Sequence, residues 1–164
     1  MVAQLGAPAM AARAHEELYS YWASLRSEGR LPSRADIHPK GFKRHLPNIS
    51  LIELGPDGAN DYRLRLAGTG LYSVYGREIT GRKLSEVYNS AAADYWRVEL
   101  DKVVAERRPG VGCHSLSWRG ASHMSLLWLR LPLASNGYDV DMILGYDAIV
   151  GLAGGEGVSG IRAA

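Results

Sequence analysis

The first amphipathic pattern in the chain runs through Ala14, Leu18, Tyr21, Trp22 and Leu25, a spacing of i, i+4, i+7, i+8 and i+11 that puts these side chains on one face of a helix. It predicts a helix over 13–29, ended by Gly29 and Pro32. Asn48 to Leu54 is a run of β-formers, Gly55-Pro56-Asp57-Gly58 is turn chemistry, and Tyr62, Leu64 and Leu66 alternate with Arg63 and Arg65. These segments read as an antiparallel hairpin with one wet face. From Leu71 to Gly81 the pattern is short and broken by Gly76, which predicts brief helices. Asn89-Ser90 caps a longer helix with Trp96, Leu100, Val103, Val104 and Arg107 on one side, ending at Pro109-Gly110. Two strands follow over 111–119 and 122–133, joined at Gly120-Ala121, and a last strand over 139–150 comes after the Ser135-Asn136-Gly137 turn.

The order is ββ, helices, βββ. Because all the central helices separate the second strand from the third, the pattern predicts an α+β layer pair: a five-stranded antiparallel sheet with helices on one face and an N-terminal amphipathic helix. Residues 1–12 are rich in Ala, Gly and Pro, and 151–164 are rich in Gly; both are expected to be flexible ends, leaving a single domain over 13–150.

Composition narrows the function classes. A chain of 164 residues with 46% hydrophobic and 22% charged residues has the means for one core. Nineteen Lys and Arg against seventeen Asp and Glu leave +2, too small a surplus for a dedicated nucleic-acid binder. One cysteine, Cys113, excludes an internal disulfide framework and a multi-cysteine zinc site. The first ten residues lack a basic segment followed by an apolar run, and no stretch reaches the ~18 apolar residues of a membrane span. The expectation is a cytoplasmic protein with no membrane and no nucleic-acid partner.

Four segments carry a family resemblance: Leu31-Pro32-Ser33-Arg34-Ala35-Asp36-Ile37-His38-Pro39, Leu46-Pro47-Asn48, Tyr62-Arg63-Leu64-Arg65-Leu66-Ala67-Gly68-Thr69 and Gly76-Arg77-Glu78-Ile79-Thr80-Gly81-Arg82. Taken in this order, the chain resembles the PAS domain superfamily, and within it a subgroup of small, single-domain bacterial PAS proteins. The resemblance implies a sensor or docking module that binds a small ligand between helices and sheet and relays the change through the sheet or the N-terminal helix. Many such domains dimerise through that helix, which makes Leu18, Tyr21, Trp22 and Leu25 the expected homodimer interface. Haem-binding members commonly take a histidine from the long helix, yet none of His15, His38, His45, His114 and His123 lies in 91–107. Flavin photoreceptors of the superfamily need a cysteine in the central helices, whereas Cys113 opens a strand. Both chemistries are disfavoured, and the cofactor is left unnamed.

A two-residue turn at Gly120-Ala121 would pair Arg119 with Ser122, Trp118 with His123 and His114 with Leu127. His114, Leu116, Trp118, His123, Ser125, Leu127, Leu129 and Leu131 then share one face, and the leucines mark it as the face toward the helices. With Tyr72 and Tyr75 on a short helix and Trp96 on the long one, the expected ligand site is Tyr72, Tyr75, Trp96, His114, Trp118, His123, Leu127 and Leu129. A one-residue bulge in this hairpin would reverse the facing. His114 and His123 stand too far apart along the hairpin to share a metal ion, so no metal site is expected. Asp139, Asp141 and Asp147 on the last strand, and Glu99, Asp101 and Glu106 on the long helix, have the spacing of solvated faces. No nucleophile elbow, P-loop or dinucleotide glycine pattern occurs. The expected function is a non-catalytic sensory module that binds an unidentified small molecule, a signalling protein partner, or both. The alternatives are a small α+β enzyme using His114 or His123 as general base, or a ligand-free interaction adaptor.

Overall fold

The computed structural model describes residues 7–55, 58–117 and 120–151. Helix α1 spans Ala7–Ser24, starting six residues before the predicted boundary and stopping short of Gly29. Glu28 and Gly29, with φ of 46° and 75°, turn the chain back, and an isolated bridge joins Ser27 to Arg30. The apolar face of α1 begins at buried Ala11, about one turn before Ala14.

Strands β1 (Ile49–Gly55) and β2 (Gly58–Ala67) form the hairpin. Tyr62 and Leu64 are buried, while Arg63 and Arg65 are exposed and Arg65 donates to Glu53 at 3.2 Å. Leu66 departs from the predicted alternation: it is 46% exposed, beyond a register shift between Leu51 and Ile52. Gly68 follows, and the space a Cβ would need there is filled by the Leu46 and Pro47 carbonyl oxygens, so two of the motif segments are in backbone contact. Short helices α2 (Leu71–Tyr75) and α3 (Leu84–Val87) lead to α4 (Ser90–Glu106). Asn89 caps α4 as the sequence suggests, its side-chain oxygen accepting from the Ala92 N–H at 2.9 Å. Ala92, Ala93, Trp96, Leu100 and Val103 form the buried face of α4.

Strands β3 (Gly110–Leu116), β4 (Ala121–Leu133) and β5 (Met142–Gly151) complete an antiparallel five-stranded sheet in the order β2-β1-β5-β4-β3. The predicted α+β order is therefore present. The helices, however, cover both faces. Trp96 of α4 packs on Trp128 of β4, with ring centroids 5.2 Å apart, whereas α1 buries Ala11 against Leu127 and Val150 on the opposite face. Trp22 anchors α1 there, its indole N–H donating to the Pro132 carbonyl at 2.8 Å. This two-sided cover explains why β4 is buried continuously from Leu126 to Leu133 instead of alternating.

Candidate functional site

The β3–β4 register sets what faces the central helices. His114 pairs with Leu126, one residue from the expected Leu127, and a register shift between Ser115 and Leu116 absorbs the difference. Because antiparallel partners share a face, this bulge moves the leucines to the other side. Leu127 and Leu129, expected to line the ligand site, lie on the outer face under α1, with Leu127 in one cluster with Ala11. The inner-face residues of β4 are Leu126, Trp128 and Arg130.

Trp128 lies flat against β3. A Cβ on Gly112 would come within 2.6 Å of its Cζ2, so this glycine is a seat for the indole. Beside it, Arg130 is 2% exposed and forms an ion pair with Asp147 of β5, Nη2 to Oδ1 at 2.9 Å, Asp147 being 1% exposed. Arg130 is paired across the ladder with Gly145, where a Cβ would lie 3.1 Å from Nη1. The guanidinium also donates to the Tyr146 carbonyl at 3.2 Å and sits 4.6 Å from the Trp96 ring centroid. The Tyr75 hydroxyl donates to Asp147 Oδ2 at 3.0 Å, and Tyr88 donates to Tyr75 at 2.9 Å. Burial works against the charge on Arg130, and the adjacent Asp147 carboxylate, with Tyr75 and Tyr88 adding to it, more than offsets that, raising its pKa. Burial first, and Asp147 next, push both tyrosine hydroxyls upward, so they stay protonated donors.

His114 stands at the mouth of this layer. It stacks on Tyr95 with centroids 3.9 Å apart and meets the Trp96 edge at 6.0 Å. Tyr95 in turn accepts from the Trp128 indole at 3.1 Å. Burial lowers the His114 pKa, leaving the ring neutral near pH 7. A cavity of about 230 Å³ opens here between Asn89, Ala91, Ala92, His114 and Ser117. Behind it the Trp96 indole N–H, on a residue 1% exposed, has no acceptor among the described residues.

Of the residues expected at the site, Tyr75, Trp96 and His114 come together. Tyr72 is 59% exposed, three positions along α2 on the solvent side, and His123 is exposed on β4. Trp118 lies outside the described residues. The residues expected at a dimer interface are largely used within the chain: Leu18 and Trp22 are 1% and 0% exposed against the sheet. Tyr21 packs on Phe42 and accepts from the His38 backbone N–H at 2.9 Å. Leu25 is half-buried against the same core. Periodicity alone does not mark Arg130, and it gives Asp147 the spacing of a solvated acid. The available signal was an arginine inside the apolar run Leu126-Leu127-Trp128-Leu129-Arg130-Leu131, a charge that only a buried partner sustains.

A family profile described as PAS domain matches residues 10–147, most of the chain. The chain belongs to the PAS domain family. PAS domains are typically sensory modules. Solved structures are similar to the chain at low identity. A sensory box sensor histidine kinase from Vibrio cholerae is 13% identical with a TM-score of 0.49, the match covering 88% of this chain and 97% of that one. A PAS domain from Colwellia psychrerythraea is 12% identical at 0.48, covering 68% and 96%. A LOV protein from Rhodobacter sphaeroides is also 12% identical at 0.48, covering 85% and 69%. No curated protein matches the chain. Among the described residues, no helix is long and apolar enough to cross a membrane.

Proposed function

We propose that this PAS domain is a non-catalytic sensory module that takes a small molecule at the His114–Trp96 mouth and relays the change through β4 and β5 to α1. One observation carries the reading. Tyr146 and Asp147 are consecutive on β5 and so face opposite sides of the sheet. Asp147 holds the inner-face network through Arg130 and Tyr75, while Tyr146 meets His15 of α1 edge-on at 5.4 Å. A ligand that displaces Tyr75 or Trp96 alters the hold on Asp147, and its neighbour Tyr146 transmits the shift to α1 as a change in docked population.

Output passes to a separate signalling protein or to a second copy of the chain in the cytoplasm, which meets the exposed side of α1 at Met10 and Tyr19, respectively 59% and 49% exposed. The test is hydrogen exchange of α1 in Tyr75→Phe, a change confined to the inner face. The relay predicts that amides around Leu18 to Trp22 exchange roughly tenfold faster, while those of β1 keep their rates. Unchanged α1 protection would reject it.

A ligand-free adaptor is the second reading, favoured by the bulk on the inner face: Tyr75, Tyr88, Trp96 and Trp128 are all less than 8% exposed. Native mass spectrometry of protein purified from its own host separates the two, since a retained small-molecule mass supports the sensor and bare chains support the adaptor.

A further inference from the structure

The outer face holds a larger cavity than the inner mouth. About 430 Å³ lies between α1 and the edge of the sheet, lined by His15, Glu16, Tyr19, Arg108, Pro109, Val111 and Leu129. That volume is in the range of small-molecule sites. Its walls are mostly apolar: the Tyr19 ring from α1, Pro109 from the turn before β3, and Val111 and Leu129 from β3 and β4. Glu16 and Arg108 bring one charge of each sign, so the lining selects neither an anion nor a cation. His15 and the Tyr19 hydroxyl supply the remaining polar groups, and His15 Nε2 is buried with no hydrogen-bond partner among the described residues.

We propose that this α1–sheet cavity is a second binding site, for an uncharged, mainly apolar molecule carrying one hydroxyl, of the small-phenol class. A hydroxyl both donates and accepts, so it satisfies the imidazole nitrogen in either tautomer, while the ring lies against Tyr19, Val111 and Leu129. Desolvation by burial, with the Arg130 charge adding to it, lowers the His15 pKa to about 4, which keeps the ring neutral near pH 7 and suits an uncharged ligand. Nε2 has almost no accessible surface in the unliganded chain, so the proposed contact requires the imidazole to turn toward the cavity when the ligand enters. The ligand would bridge α1 to β3 and β4 directly. The site therefore stands independently of the inner-face mouth, and failure of one leaves the other untouched.

The experiment is a titration of the full chain with 4-propylphenol, propylbenzene and 4-propylbenzoate, followed by methyl NMR resonances and by calorimetry. The phenol is expected to shift Val111 and Leu129 and to bind at least ~10-fold more tightly than either analogue. His15→Phe should bring the phenol and propylbenzene within about twofold of each other. Val111→Trp fills the cavity from an exposed wall position and should abolish binding without requiring a change at His15. Equal affinity for phenol and propylbenzene in the wild-type protein overturns the proposal. So do shifts confined to Leu116 and Leu126 on the inner face, tighter binding of the benzoate, or no shift with any probe up to its solubility.

Discussion

Arg130 and Asp147 form a diagonal ion pair across β4 and β5, with 2.9 Å between Nη2 and Oδ1 and almost no solvent contact on either residue. Oδ1 lacks a well-aligned hydrogen bond, and Nε of Arg130 has no partner among the described residues. Each residue has its own directed bonds, Arg130 to the Tyr146 carbonyl and Asp147 from the Tyr75 hydroxyl, and charge is what joins the two to each other. Asp147→Asn keeps an acceptor for Tyr75 and removes only the charge, stranding the guanidinium. The expected loss is ~3–5 kcal/mol in urea unfolding. Adding Arg130→Met removes the stranded cation and should restore at least half of that. Equal losses in the single and double variants would mean that the charge pairing is not what matters.

Gly112 and Trp128 make a steric prediction. The backbone at Gly112 has ordinary φ, so the glycine is there for space, and Gly112→Ala puts a methyl group into the indole ring at 2.6 Å. Overpacking of this kind costs ~1–3 kcal/mol. Gly120→Ala, at φ 81° with nothing near its Cβ, is a control for backbone strain alone. Thermal melts of the two variants, compared with Gly112→Ala/Trp128→Phe, test the assignment: the smaller ring should recover part of the loss at Gly112.

The strand and helix order was legible because each element carries its own periodicity and punctuation, as with the Asn89 cap and the Gly55–Gly58 turn. The inner site was half legible. His114, Trp96 and Tyr75 were reachable from their positions, but the facing of β4 depended on a single bulge beside Leu116, and local sequence does not encode where a ladder slips. The leucines at 127 and 129 misled for a physical reason: α1 makes the outer face apolar too, so hydrophobicity no longer distinguishes the two sides of β4. The α1 stripe is apolar as its spacing predicts, and an apolar stripe suits an intramolecular sheet face as well as a partner; in this fold Leu18 and Trp22 are spent on the sheet.

Stability should fall on mild acidification. The His15 pKa drops to about 4 in the fold, against 6.5 in the unfolded chain, because burial disfavours the imidazolium and Arg130 repels it. Between these values the unfolded state binds more protons, so the stabilisation is complete above pH 6.5 and is lost as pH falls toward 4. His114, lowered by burial, adds a loss of the same sign. Glu17 is held down chiefly by its hydrogen bond from His45 and contributes only at lower pH, as carboxylates begin to protonate. Urea midpoints from pH 7.5 to 4.5 should decline, and His15→Phe/His114→Phe should flatten the decline above pH 5. An unchanged slope in the double variant would assign the effect elsewhere.

Cys113 offers a direct readout of α1. It is half-buried on the outer face of β3, packed against the cluster of Ala11, Leu127 and Val150 that α1 closes. As the chain has one cysteine, its alkylation by N-ethylmaleimide reports the opening of that contact alone. Trp22→Ala removes both the bond to Pro132 and the largest fully buried side chain of α1, and should raise the alkylation rate by about tenfold or more. Tyr72→Ala, at an exposed position on the other side of the sheet, should leave it unchanged. If Tyr75→Phe speeds alkylation as well, the inner-face network and α1 move together, because the altered hydroxyl is separated from Cys113 by the whole thickness of the sheet. If Trp22→Ala leaves the rate as it was, α1 is not the element that guards the thiol, and the docked helix loses its place as the moving part.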